Sequence, residues 1–147
     1  MLVRDVMSTG LLTVRPSDLV RTVINRMQAR HCGAIPVVGE ADQLVGLVAV
    51  RDVLMPLYAG HADYVHDNLS ARDFIAMEDA YRSVLERRVD EIMTRKPLTV
   101  SPDDPVLKAA SYMGLKNFRR IPVVEAGRLV GMVSIGDINR ELFLAAR

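Results

Sequence analysis

The sequence predicts an α+β fold in which one helix–strand–helix–strand–strand–helix unit is written twice (αβαββα, αβαββα). Three internal matches predict it. Leu12-Thr13-Val14-Arg15-Pro16 returns as Leu98-Thr99-Val100-Ser101-Pro102. Ile35-Pro36-Val37-Val38 returns as Ile121-Pro122-Val123-Val124, at the same offset of 86 positions, and Val6-Met7 against Ile92-Met93 shares it. Leu44-Val45-Gly46-Leu47-Val48 then returns as Leu129-Val130-Gly131-Met132-Val133 at an offset of 85, which Asp52 and Asp137 keep. Register held across three blocks, with one residue lost in a turn, is the mark of a repeat rather than of chance.

Each repeat is read in the same order. A short helix ends near Met7 and again near Thr94. A brief extended segment follows at 12–14 and 98–100. Pro16-Ser17-Asp18 and Pro102-Asp103-Asp104-Pro105 then start a helix each: Ser and Asp oxygens accept bonds from the free N–H groups of a first turn, and Pro105 suits the first helical position. Leu19, Val20, Val23, Ile24 and Met27 fall three or four apart and make one buried face; Val106, Leu107, Ala110, Met113 and Leu115 repeat the pattern less cleanly. Two Val-rich runs come next, 34–38 with 44–50 and 121–124 with 129–135, each pair joined by a short turn and so hairpin-like. A last helix begins at Arg51-Asp52 and at Gly136-Asp137.

These boundaries divide the chain into a first domain at 1–58, a partly helical connector at 59–88 and a second domain at 89–147. Each half is marginal in size alone, so the two are expected to pack sheet to sheet and share a core. In the connector, Ser70 with Asp73 reads as a helix start, and Phe74, Met77, Tyr81, Val84 and Leu85 recur at helical spacing. The stripe continues into Val89 and Ile92, which predicts one helix running on into the second repeat.

Composition narrows the function. Half of the 147 residues are hydrophobic and a quarter charged, an ordinary globular balance. With 19 basic against 18 acidic residues there is no broad polycationic face for duplex nucleic acid. One cysteine, Cys32, excludes an intrachain disulfide and fits a reducing compartment. Neither a signal peptide nor an apolar run of membrane-spanning length is visible, so a cytoplasmic protein is expected. Paired carboxylates, a nucleophile with its base, a phosphate-cradling Gly loop and a metal cluster are all missing, and no catalysis is expected. His61 and His66 with Asp63 and Asp67 fit no metal-ligand spacing, and no metal site is assigned there. His31 reads as a helix-end residue.

Ile-Pro-Val-Val, then Leu-Val-Gly, then a closing Asp, twice in register, resembles the CBS domain, named after cystathionine beta-synthase. The resemblance covers 1–58 and 89–147 and leaves the middle unmatched. It implies a tandem pair related by a pseudo-twofold axis, with the sheets packed together and two clefts between the halves. It also implies a homodimer, an adenine-nucleotide ligand (AMP, ADP or ATP) and regulation of a separate, unidentified effector protein.

The family's ligand motif is Gly, two apolar residues, Ser or Thr, two further residues, then Asp. The second repeat matches it as Gly131-Met132-Val133-Ser134-Ile135-Gly136-Asp137. By resemblance Asp137 holds the ribose hydroxyls and Ser134 meets ribose or phosphate, with Gly136 between them. Thr99, Val100, Arg120 and Ile121 meet the base edge, and Pro122 packs beside it. A carboxylate accepts from two vicinal hydroxyls at once, which suits ribose. The first repeat departs from the motif at Gly46-Leu47-Val48-Ala49-Val50-Arg51-Asp52, where Ala49 replaces the hydroxyl. A weaker or empty second site is expected there, from Thr13, Ala34, Ile35, Pro36, Arg51 and Asp52. Lys116, Arg119 and Arg120 form a small basic cluster beside the stronger site. The competing expectation is a ligand-free structural module for dimerisation or interaction, for which Ala49 speaks and Ser134 with Asp137 speak against.

Overall fold

A computed structural model describes residues 1–58 and 74–147. The Ser70–Asp73 helix start and the His61/His66 group fall outside the described residues. The elements are α1 (Val3–Val6), α2 (Val20–Arg30), β1 (Ala34–Val38), β2 (Leu44–Ala49), α3 (Val50–Leu54), α4 (Phe74–Leu85), β3 (Thr94–Arg95), α5 (Val106–Lys116), β4 (Arg120–Glu125), β5 (Arg128–Ser134) and α6 (Ile135–Ala145). β1, β2 and β3 form one sheet in that order, and β4 and β5 a second, antiparallel one with an irregularity between Val123 and Val124. This is the mixed helix-and-sheet architecture with small sheets that the repeats require.

In space the chain groups into two compact units. The first contains 1–13, 38–45 and 96–147; the second contains 14–37 and 46–95. The units therefore cut across the repeats as they run along the sequence, and the opening segment of each repeat explains why. In the first unit Val3 N–H donates to the Asp104 carbonyl at 2.8 Å and Arg4 N–H to that of Pro102 at 2.9 Å. In the second, Val89 N–H donates to Asp18 at 2.8 Å and Asp90 N–H to Pro16 at 3.0 Å. Each of these bonds is the other shifted by one repeat. The opening segment of either repeat is thus built into the body of the other.

The exchange also settles how the long helices begin. Asp18 and Asp104 do not cap them. Their carboxylates turn back, accepting from Arg15 N–H and Ser101 N–H, both at 2.8 Å. The helices start later, with Leu19 and Pro105 as N-caps that make no side-chain cap bond. Their first N–H groups go to the exchanged segments: Val20 N–H to the Arg87 carbonyl at 2.9 Å, and Val106 N–H to that of Met1 at 3.1 Å. A helix leaves four such donors unsatisfied at its start, and a neighbouring carbonyl serves as well as a capping side chain.

The connector helix does not run on into the second repeat. α4 ends at Leu85, and Val89–Glu91 form a separate 3-10 turn. The backbone between them leaves helical pairing because Arg87 and Arg88 are drawn onto Val20 and Leu19.

Each unit buries its own apolar set. Val3, Val6, Val100, Met113, Ile121 and Ile138 are among the core residues of the first, and Val14, Val23, Ile35, Val48, Val53 and Val89 are buried in the second. Full burial of such a side chain is worth about 1.5–3 kcal/mol, so Val3 and Val89, both 0% exposed, anchor the exchanged segments. α2 and α5 end on left-handed residues, His31 (φ 51°) and Asn117 (φ 59°). The next N–H, of Cys32 and Phe118, folds back to Met27 and Met113.

Candidate functional site

The site is built at the end of the β4–β5 hairpin away from its turn. Arg120 lies opposite Ser134 in the ladder, and Ile121 opposite Val133. Val100 runs parallel beside β4, donating from its N–H to the Pro122 carbonyl at 3.1 Å while its own carbonyl accepts from Val124 at 2.9 Å. Thr99, half-buried, precedes it. Ile135 N–H closes the corner on the Arg119 carbonyl at 3.0 Å. These bonds bring Thr99, Val100, Arg120, Ile121, Pro122, Ser134, Gly136 and Asp137 to one place in the first unit. Val100, Ile121 and Pro122 are buried beneath it, whereas Lys116, Arg119 and Arg120 are exposed at its rim.

Ser134 is the N-cap of α6, and its Oγ accepts the Asp137 N–H at 3.0 Å. Asp137, half-buried in the first helical turn, directs Oδ1 to Arg140 Nη1 at 3.2 Å. The chemistry assembled is a carboxylate that accepts hydroxyl protons, a serine hydroxyl, a helix start that favours anions, and cationic side chains around it.

The second unit holds the same frame. Val14 N–H donates to the Pro36 carbonyl at 3.1 Å, and Val50 N–H to that of Gly33 at 3.1 Å. This frame brings together Ala34, Ile35, Pro36, Arg51 and Asp52. Thr13 groups with the first unit. The carboxylate, however, is used differently. With no hydroxyl on Ala49, Asp52 Oδ2 accepts the Ala49 N–H at 2.9 Å, and Oδ1 faces the Thr94 hydroxyl at 3.3 Å.

Two residues of this arrangement escaped the sequence reading. Thr94 reaches Asp52 only through the exchange of opening segments, and the repeat signal for it stops one residue short, at Ile92-Met93. Arg140 lies one helical turn beyond the motif, where its counterpart is Met55. Among the described residues no group of three or more His, Cys, Asp or Glu is placed to hold a metal ion, and no helix is long and apolar enough to cross a membrane.

Residues 3–58 and 89–144 match the sequence model of the CBS domain. The chain belongs to the CBS domain family. This CBS pair is 27% identical to CBS domain-containing protein YhcV of Bacillus subtilis, over 92% of the chain and 81% of that relative. Among solved structures it is similar to CBSX2 of Arabidopsis thaliana in complex with AMP, with a TM-score of 0.76, 27% identity and coverage of 99% and 98% of the two chains. It is similar too to the CBS domain pair of protein MJ0100 in complex with 5′-methylthioadenosine and S-adenosyl-L-methionine, with a TM-score of 0.72, 25% identity and coverage of 100% and 98%.

Proposed function

We propose that this CBS pair is a regulatory module without catalysis of its own. It binds an adenine nucleotide (AMP, ADP or ATP) at the second-repeat site and signals, as a cytoplasmic homodimer, to a separate effector protein. The observation that carries the reading is the division of labour at α6. Ser134 satisfies the Asp137 N–H, and the Asp137 carboxylate is directed to an exposed arginine rather than to its own backbone. In this reading Asp137 takes the two ribose hydroxyls, while backbone at Thr99, Val100, Arg120 and Ile121 meets the base edge. Pro122 packs on the base, and Ser134 and Gly136 line the ribose–phosphate junction. The adenosyl ligands of CBSX2 and of the MJ0100 pair support the ligand class. The first-repeat site of Ala34, Ile35, Pro36, Arg51 and Asp52 binds more weakly, since Asp52 is held on Ala49 N–H.

Thermal unfolding with and without AMP, ADP, ATP and S-adenosylmethionine tests the proposal, for the native chain and for Asp137→Ala. A ligand at a hundred times its Kd adds about 2.7 kcal/mol, which is about 5–10 °C for a chain of this size. A shift lost in Asp137→Ala is the expected result. No shift up to millimolar ligand, or an equal shift in Asp137→Ala, overturns the reading. The engaged Asp52 favours a second reading for the first repeat alone, as a structural element that binds nothing.

A further inference from the structure

The two repeats differ by a full charge one helical turn beyond the motif carboxylate, where the second has Arg140 and the first has Met55. Arg140 Nη1 stands 3.2 Å from Asp137 Oδ1, and its Nε stands 3.4 Å from Glu141 Oε1. The side chain is 61% exposed. A guanidinium carries five N–H donors in one plane, so these two contacts leave it with further bonding capacity.

A nucleotide brings phosphate charge to a site whose hydroxyl-recognising group is itself an anion. Two like charges at short range disfavour each other unless a cation stands beside them. Adenosine offers the same base and ribose with no phosphate, and so meets no such repulsion. In the first repeat the donors that reach Asp52 among the described residues are neutral, the Ala49 N–H and the Thr94 hydroxyl, with no guanidinium paired to it as Arg140 is to Asp137.

Resting on the nucleotide-binding reading above, we propose that Arg140 is a specificity-determining residue of the second-repeat site. By pairing with Asp137 it offsets the carboxylate charge, and so favours phosphorylated adenosine ligands over neutral adenosine.

Calorimetric titration of AMP and of adenosine into the native chain, Arg140→Met, Arg140→Lys and Asp137→Ala tests it, with ligand-free melts establishing that each variant is folded. Arg140→Met, which installs the first-repeat residue, weakens AMP by about tenfold, the scale of one charge-assisted contact. Adenosine affinity changes by less than about twofold. Arg140→Lys recovers most of the AMP affinity, because a point charge suffices, and raised salt shrinks the difference between the ligands. Equal losses for AMP and adenosine, or no loss for either, overturn the proposal. If AMP binds the native chain and is lost in Asp137→Ala while Arg140→Met is silent, the nucleotide reading stands and this inference alone falls. Binding of neither ligand to the native chain overturns both.

Discussion

Around Asp52 and Asp137 one backbone frame is used in two ways. Bonds that build the corner recur at matching positions, Val14 on Pro36 with Val100 on Pro122, and Val50 on Gly33 with Ile135 on Arg119. The side chains differ: Ala49 stands against Ser134, Arg51 against Gly136 and Met55 against Arg140. Where Ser134 supplies a hydroxyl, the helix N-terminus is capped by that hydroxyl and Asp137 faces Arg140. Where Ala49 supplies none, the aspartate folds back to its own backbone and holds there. A repeat thus keeps its scaffold through main-chain bonds, which need no particular side chain. Its two sites diverge through side chains, the helix cap among them.

The largest effect tests what the repeats share. A methyl built at Gly46 falls 2.6 Å from Met93 Sδ and 3.0 Å from the Thr94 carbonyl; one at Gly131 falls 2.7 Å from Met7 Sδ and 3.0 Å from the Ser8 carbonyl. The methionine tips can move, but the paired carbonyls of the exchanged segments cannot. Gly46→Ala and Gly131→Ala each cost about 1–3 kcal/mol in urea unfolding, as overpacking does. Near-equal losses are expected. A loss in one repeat alone shows that the exchanged segments are held unequally.

The next effect tests what separates them. Ser134→Ala removes the α6 cap and costs about 1 kcal/mol of ligand-free stability. Ala49→Ser supplies α3 with the missing hydroxyl and gains a few tenths to about 1 kcal/mol. The new hydroxyl accepts the Asp52 N–H, as Ser134 accepts that of Asp137, and adds a polar group to the site. In AMP titrations Ala49→Ser is expected to strengthen the first-repeat site, and Ser134→Ala to weaken the second. If Ala49→Ser leaves both stability and binding unchanged, the cap is not what divides the two sites.

Much of this was legible in the sequence, for reasons that also mark the limit. The repeats, the hairpins and the closing helices are written in side-chain periodicity and turn residues, and Ser134 with Asp137 sits in a motif of fixed spacing. The exchange of opening segments is written in backbone bonds such as Val3 to Asp104 and Val89 to Asp18. These need no particular side chain, and so left no trace beyond the Val6-Met7 and Ile92-Met93 match. The late helix starts and the early end of α4 follow from the same bonds. Arg140 and Thr94 were illegible as site residues because each acquires its role only from what folding sets beside it.

The smallest effect lies at the start of α5. Asp104 carries Lys108 four residues on, at 3.1 Å, where the first repeat has Thr22 after Asp18. The bond from Ser101 N–H, and then Lys108, hold the Asp104 carboxyl below its usual value of 3.8. The unfolded chain therefore binds the proton more readily than the folded one. The resulting stabilisation is fully present above the unfolded value and is lost as pH falls through the lower, folded one. Asp104→Asn keeps an acceptor for Ser101 and removes the charge. Urea midpoints from pH 6 down to pH 3 are expected to fall less steeply for Asp104→Asn than for the native chain, other carboxylates titrating alike in both. Lys108→Thr, which installs the first-repeat residue, is expected to reduce the pH-dependent difference without abolishing it, because the Ser101 bond is the larger cause. Should Lys108→Thr remove the whole difference, the lysine rather than the backbone turn governs Asp104, and the helix starts of the two repeats are set apart by a side-chain pair instead of sharing one main-chain design.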